Sequence, residues 1–517
     1  MTHSFSRIPE PKTSLFNPSD LDLRAMVSDM PNAGLTEFGN YNVTTKVVSR
    51  SKSSTFIVSD RPHEHSGSCI PTMEGEKVAE MQNAFVRNQD MIIIDGYIGN
   101  NPTTKTATRL MVEKKHANIA AMQKQLYFPI SASEKRGFVP VLHIIYTPSL
   151  MATGYPNDRL IAVDLQSQVT RIFNSDYFGE SKKAGLRMWN KLMFDQGGLA
   201  MHAGCKKIPV AQDEKVMLII GLSGTGKTTT TFTSQNDSTP IQDDFVALMQ
   251  DGSCLISENG CFAKTFGLDK NSEPAIYHAV IQPNAYLENV SMDASGKIDF
   301  FDYAHTQNGR ATFPFASISQ SRPLSDVEKV DCVFILNKNQ DIIPAVAKLT
   351  PTQAAAYFML GETMGTSAGG VEEAGQALRI PGTNPFFPLL HNQQGLRFLE
   401  LITKHNIQVY LMNTGRIGGS ESVQNSMKVK IKHSSAIVKA IVEDRISWKT
   451  DCDFGYQIAK NVPGMEGDDN MLLESRRLYE YLGHLDDYNR VVAQLKKDRL
   501  EYLKGYPEIY AVVHQGG

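Results

Sequence analysis

A chain of 517 residues with 41% hydrophobic and 21% charged residues has the composition of an ordinary globular protein, and its length suits two or three domains. Its net charge of −3, from 52 Lys and Arg against 55 Asp and Glu, gives no electrostatic reason to expect nucleic acid or an anionic membrane as the main partner. Six cysteines without a C-x-x-C pair fit free thiols rather than a disulfide framework, and the polar start MTHSFSRIPEPKTS lacks the apolar core of a secretion signal, so the expected location is cytoplasmic.

Residues 1–40 read as irregular, with one short helix near 21–26. Apolar runs at 55–58, 91–95, 141–146 and 160–163 have the length of strands, and turn residues such as GNNP at 99–102 separate them. Residues 108–126 lack Gly and Pro and space their apolar residues helically, which predicts a helix. From about residue 200 the texture changes. Residues 216–220, 332–336 and 408–412 are buried-strand candidates, while 351–360 and 396–404 read as helices. That alternation predicts an α/β core. Residues 470–505 predict two further helices. The glycine-rich stretch 361–382 exceeds ordinary loop length and is expected to be a mobile lid. The expected domain boundary lies just before residue 200, dividing the chain into 1–197 and 198–517.

The most specific motif is GLSGTGKT at residues 221–228. Gly221, Gly226, Lys227 and Thr228 satisfy G-x-x-x-x-G-K-[ST], with Leu222, Ser223, Gly224 and Thr225 between them. Glycines let backbone N–H groups turn inward around phosphate oxygens. The lysine neutralises β/γ oxygens, and the threonine hydroxyl binds the Mg²⁺ that travels with a nucleotide. An apolar strand precedes the loop and a threonine-rich helix start follows it, as a phosphate site requires. This chain is therefore read as binding a nucleoside triphosphate.

Other candidates are weaker one by one. Asp243-Asp244 follow the loop at a distance suited to a metal ligand beside the phosphates, although such pairs are common in solvated turns. A lone His202 usually carries no metal. Lys182-Lys183 and Arg50 each have a bland reading as surface charge.

Taken together, these residues resemble the ATP-dependent phosphoenolpyruvate carboxykinase family from about Arg50 to about Ile441. Ser223 in the phosphate loop is characteristic of that family. YFGESKK at 177–183 looks like its Tyr-x-Gly-Glu-x-Lys-Lys segment, and His202 follows Lys183 at the family's spacing. DGYIGNNP at 95–102, ENGCFAK at 258–264, Glu273-Pro274, Glu288-Asn289 and Asn308-Gly-Arg310 also match in order. The resemblance implies a two-domain mixed α/β fold, with the active-site cleft between the domains and the phosphate loop in the C-terminal one.

It also implies roles. Arg50 and Arg310 would clamp the substrate carboxylate or the transferring phosphate, and Tyr177 would line the CO₂ or oxaloacetate pocket. Lys183, His202 and Asp244 would hold Mn²⁺, and Lys182 would stabilise an enolate. Lys227 and Thr228 would handle ATP phosphates and Mg²⁺, with Lys264 and Glu273 near the nucleotide. The implied partners are oxaloacetate or phosphoenolpyruvate, CO₂ and nucleotide, and the implied assembly is a monomer or small homo-oligomer.

The chain departs from the family pattern in four places, one of them the stretch 416–425, which is longer than the family's turn there. FVAL at 245–248 stands where the family has Glu-His-Gly-Trp. Residues 364–372 match the family's lid only loosely. Lys428 and Ser434 stand where it has an arginine and a threonine beside adenine. These departures touch the base pocket and the lid and spare the phosphoryl-transfer centre. Two other readings remain: a kinase of the same fold acting on another substrate, and a nucleotide-binding regulator without catalysis.

Overall fold

Two eight-stranded sheets organise the fold. The computed structural model describes residues 4–222, 224–233, 235–318, 324–364 and 376–515. The first sheet runs in the order Thr13–Phe16, Asp90–Ile98, Thr106–Glu113, Leu142–Thr147, Val169–Phe173, Leu160–Asp164, Thr55–Val58, Cys69–Ile70. Residues 91–94 and 160–163 in its strands are continuous apolar runs, because both faces of the sheet are covered. Ile92, Ile94, Leu110 and Val112 pack with the helices Ala117–Leu126 and Gly179–Asp195. Met91, Ile93 and Met111 face the helix Thr72–Val86 on the other side.

The second sheet runs Thr239–Gln242, Ala203–Val210, Asp213–Ile220, Cys332–Asn337, Gln408–Asn413, Val346–Leu349, Gln457–Ala459, Trp448–Thr450. Asp213–Ile220, Cys332–Asn337 and Gln408–Asn413 are mutually parallel, the pairing expected of buried α/β strands. Leu218, Ile220, Val333 and Ile335 meet helices Pro351–Leu360 and His391–Lys404, whose Phe358 and Phe398 rings stack at 4.3 Å. Met217, Ile219, Phe334 and Leu336 meet helix Ile431–Val442. The start of Pro351–Leu360 is fixed by a reciprocal capping box between Thr350 and Gln353, with Pro351 at the first position.

A five-stranded sheet joins distant parts of the chain in the order Gly260–Lys264, Arg310–Pro314, Tyr286–Glu288, Tyr41–Val43, Ala33–Leu35. Asn289 seals the junction: its side-chain amide donates to Thr45 Oγ1 at 2.7 Å, and its carbonyl oxygen accepts the Thr45 N–H at 2.7 Å.

The mixed α/β class agrees with the sequence reading, as do the strands near 55, 91, 142, 160, 216, 332 and 408. One expected helix is overturned. Residues 106–113 form a strand between Asp90–Ile98 and Leu142–Thr147, and only Ala117–Leu126 is helical. Thr108, Leu110 and Val112 are fully buried along one face, a period of two that pairing on both edges selects over local helix preference. The C-terminal stretch holds the expected helices as Ser475–Tyr481 and Leu485–Leu503, and a further one follows at Pro507–Gln515. The stretch expected to be a lid begins and ends in two paired strands, Glu362–Met364 and Ala377–Arg379. Its middle, residues 365–375, lies outside the described residues.

Candidate active site

The phosphate loop leaves the end of strand Asp213–Ile220 and enters the six-residue helix Lys227–Phe232. Gly224 and Gly226 have φ of 85° and 89°, a left-handed conformation that side chains resist, so the loop's glycines follow from its shape. Beneath it, Thr225 Oγ1 donates to the Leu222 carbonyl at 2.7 Å, and Thr414 Oγ1 donates to the Thr225 carbonyl at 2.7 Å. The far end of the helix is held as well. Buried Lys206 donates from Nζ to the carbonyls of Thr230 at 2.7 Å and Thr233 at 3.1 Å. Burial pushes its ammonium down to about 7.

A cavity of about 380 Å³ opens over this loop. It is lined by Arg50, Tyr177, Lys182, Lys183, His202, Leu222, Gly224, Gly226, Lys227, Thr228, Asp244, Lys264, Glu273 and Arg310, all singled out in the sequence. Gly221 and Thr225 are buried and are not part of that lining. Ser223 lies outside the described residues. Lys428 and Ser434 do not border the cavity: Lys428 is exposed on the short strand Met427–Lys428, and Ser434 is buried in helix Ile431–Val442.

Asp244 is the electrostatic centre. Its carboxylate receives Lys182 Nζ at 2.8 Å and His202 Nε2 at 2.9 Å, and Lys227 Nζ also bonds to it. Burial works against its charge, but Lys182, Lys227 and His202 hold its carboxyl well below the usual range. Lys182 also reaches Glu258 at 3.0 Å. Burial disfavours the Lys182 ammonium, yet Asp244 and Glu258 raise its pKa above the ordinary value, so it stays charged. Burial in turn lifts Glu258 to about 7. Behind Asp244, Asp243 is buried and hydrogen-bonds the Thr228 side chain, and burial lifts it to about 6.

Lys183 behaves in the opposite way. Burial, with Arg50, Arg310 and Arg187 nearby, pushes it down to about 7 against the pull of Glu180. Its Nζ stands 5.1 Å from the Tyr177 ring centre. Both lysines lie near the N-terminal end of helix Gly179–Asp195, where the helix dipole also disfavours positive charge. That turn needs glycine at 179, because a Cβ there would lie 2.4 Å from Tyr177 Cε1. The Tyr177 hydroxyl accepts from Asn308 Nδ2 at 3.3 Å, and Asn308 Oδ1 accepts Arg310 NH2 at 2.8 Å. Arg310 and Lys264 face each other across paired strands, and Thr229 donates to Glu273 at 2.5 Å.

Among the described residues, no group of three or more His, Cys, Asp or Glu side chains is disposed to hold a metal ion. A set of Lys183, His202 and Asp244 nevertheless fits a divalent cation. Asp244 is anionic, and burial and then Lys227 keep His202 toward its neutral form. Lys183 sheds its proton near neutrality. His202 Nδ1 faces the Thr383 carbonyl at 3.2 Å and Nε2 faces the Asp244 carboxylate at 2.9 Å, so a neutral ring donates to one of the two acceptors and not to both.

Sequence reasoning missed the layer behind these groups. Phe245 and Phe386 enclose His202 at ring distances of 6.0 and 6.1 Å. Glu180 accepts the Ser51 N–H at 2.6 Å, and Glu288 accepts the Phe178 N–H at 2.8 Å. Glu258 and Glu288 stood inside matched segments, which was a usable signal. Phe245 opens the FVAL departure visible in the sequence, whereas Phe386 gave no signal.

Comparison with known proteins agrees with the geometry. A family model described as phosphoenolpyruvate carboxykinase matches residues 12–468. Among curated relatives, the phosphoenolpyruvate carboxykinase (ATP) of Aeropyrum pernix is 31% identical over 77% of this chain and 78% of its own. That of Caldanaerobacter subterraneus is 28% identical over 93% of both chains, and that of Staphylococcus haemolyticus 28% over 88% of both. The chain belongs to the ATP-dependent phosphoenolpyruvate carboxykinase family.

Proposed function

We propose that the protein catalyses the ATP-dependent conversion of oxaloacetate to phosphoenolpyruvate, CO₂ and ADP, or the reverse carboxylation. The observation that carries this reading is the meeting of the phosphate loop, in one cavity, with Arg50, Tyr177, Lys182, Lys183, His202, Asp244 and Arg310. Loss of CO₂ from oxaloacetate leaves an enolate, so no general base is needed to make the nucleophile. Lys182, kept charged by Asp244 and Glu258, is the fixed cation placed to stabilise that developing charge. Arg50 and Arg310 bind the substrate carboxylate or the phosphate in transfer. Tyr177 lines the CO₂ end. Lys227 and the loop amides hold the ATP phosphates so that the enolate oxygen can attack the γ-phosphorus in line.

Lys183, His202 and Asp244 would hold Mn²⁺, and Thr228 a nucleotide-borne Mg²⁺; when bound, these cations supply Lewis-acid stabilisation of charge on oxygen. Lys264 and Glu273 flank the nucleotide. Arg50, Tyr177, Lys182 and Lys183 come from the part of the chain before residue 198, and the phosphate loop from the part after it. This division supports a substrate domain at 1–197 and a nucleotide domain at 198–517, with the cleft between them. Among the described residues, no helix is long and apolar enough to cross a membrane, and we place the protein in the cytoplasm.

The test is direct. Purified protein is incubated with oxaloacetate, ATP and Mn²⁺, and phosphoenolpyruvate is followed. Absence of product with ATP, ADP, GTP or pyrophosphate as the phosphate partner would end this reading.

A further inference from the structure

Arg499 does not line the cavity, yet it is only 7% exposed, and its hydrogen bonds converge on one neighbourhood. Its guanidinium forks onto Glu362, with Nε donating at 2.8 Å and NH2 at 2.7 Å, and NH1 donates to the Tyr357 hydroxyl at 2.9 Å. A buried ion pair is costly to desolvate, and a bidentate fork with a third satisfied donor is the geometry that offsets the cost. Glu362 opens the strand Glu362–Met364 and pairs in register with Arg379 of the strand Ala377–Arg379. Arg379 reaches back as well: NH1 donates to the Asp498 carbonyl at 2.7 Å, and NH2 lies 3.4 Å from Glu362. Both strands of the ladder are therefore gripped at one end by the helix Leu485–Leu503.

The next rung of the ladder is Thr363 opposite Leu378. Those two residues, with Ile380, form part of the cavity wall. The grip is one residue away from the wall, and it comes from a helix beyond residues 12–468, the span matched by the family model.

We propose that Arg499 is a positioning residue: through Glu362 and the paired strands it sets the place of Thr363, Leu378 and Ile380 in the wall of the catalytic cavity. The effect on catalysis rests on the carboxykinase reading above; the anchoring of the strands does not. A wall displaced by about 1 Å is enough to cost on the order of 100-fold in rate.

The experiment uses the full chain, with Arg499→Met, the near-isosteric Glu362→Gln and their double variant. Hydrogen exchange is read at the amides of 362–364 and 377–379, against those of 408–413 in the central sheet. Steady-state rates are read with ATP and oxaloacetate. Expected are faster exchange confined to the two strands, a kcat/KM reduced roughly tenfold in each single variant, and a double variant no worse than the poorer single one, because the two residues act as a unit. Three results would overturn the proposal: unchanged exchange in the strands, faster exchange spread equally to 408–413, or local loosening with kcat/KM intact. If Arg499→Met does not fold, Glu362→Gln decides by the same criteria. Should the unaltered protein make no phosphoenolpyruvate, the carboxykinase reading fails, and exchange in the strands still decides whether Arg499 anchors them.

Discussion

The imidazole of His202 stands 2.9 Å from a carboxylate oxygen of Asp244. That carboxylate also offsets the charges of Lys182 and Lys227, so it carries structural as well as chemical weight. Replacing Asp244 by Asn keeps its shape and removes its charge. Lys227 then loses its ion pair, Lys182 keeps the one to Glu258, and Asp243 remains as the nearby carboxyl. A buried charge stripped of its partner costs about 3–5 kcal/mol. Asp244→Asn is expected to lower the urea midpoint of the ligand-free protein and to cut turnover by roughly 100-fold or more. A variant as stable as its parent would show that Asp244 does not balance these lysines.

Gly179 is expected to matter for catalysis more than for stability. Alanine is the better helix former, which offsets part of the overpacking cost, so Gly179→Ala should lower the melting temperature by no more than a few degrees. Its Cβ would meet Tyr177 at 2.4 Å, however, and the ring must turn away from Lys183 and Asn308. The expected outcome is a kcat/KM for oxaloacetate lowered roughly tenfold with ATP affinity unchanged. Kinetics on both substrates, with calorimetry on the free protein, check it.

Phe245 directly follows Asp244 in the chain. It is fully buried, 6.4 Å from the Trp189 ring and 6.2 Å from Phe386. Phe245→Glu puts a carboxyl into that apolar enclosure and is expected to cost on the order of 3–5 kcal/mol. A thermal scan that showed no loss would mean that the enclosure admits water.

Lys206 gives a pH dependence of stability with a definite sign. Its folded pKa of about 7 lies below the ordinary lysine value of 10.5. Below pH 7 both folded and unfolded chains hold the proton, and the cost of the buried charge is constant. Between about 7 and 10.5 the unfolded chain holds more protons, so stability rises with pH, by up to about 1.4 kcal/mol per unit. Lys206→Met removes that slope. Urea unfolding of both proteins from pH 6 to 9 should give stability curves whose difference changes only above about pH 7.

What could be read from the sequence was what is local. The phosphate loop is contiguous, and its glycines follow from backbone angles that only a few residues tolerate. Strands such as Asp213–Ile220 announce themselves because both faces are buried. The strand Thr106–Glu113 was hidden because its identity comes from two neighbouring strands rather than from its own residues. The cavity's supports were hidden for a related reason. Arg499 meets Glu362 across 137 positions and Lys182 meets Glu258 across 76, pairings that only the folded chain brings together.

The five-stranded sheet has a consequence for how the chain is made. Thr45 and Asn289, which close its central junction, are 244 positions apart. At about 5–20 residues per second, the strand Tyr41–Val43 leaves the ribosome roughly 10–50 s before its parallel partner Tyr286–Glu288 exists. Through that interval its edge has no native strand to pair with, and the first eight-stranded sheet can form around it. The wall of the cavity that carries Lys264 and Arg310 is therefore joined to the earliest residues only after more than half of the protein has been synthesised.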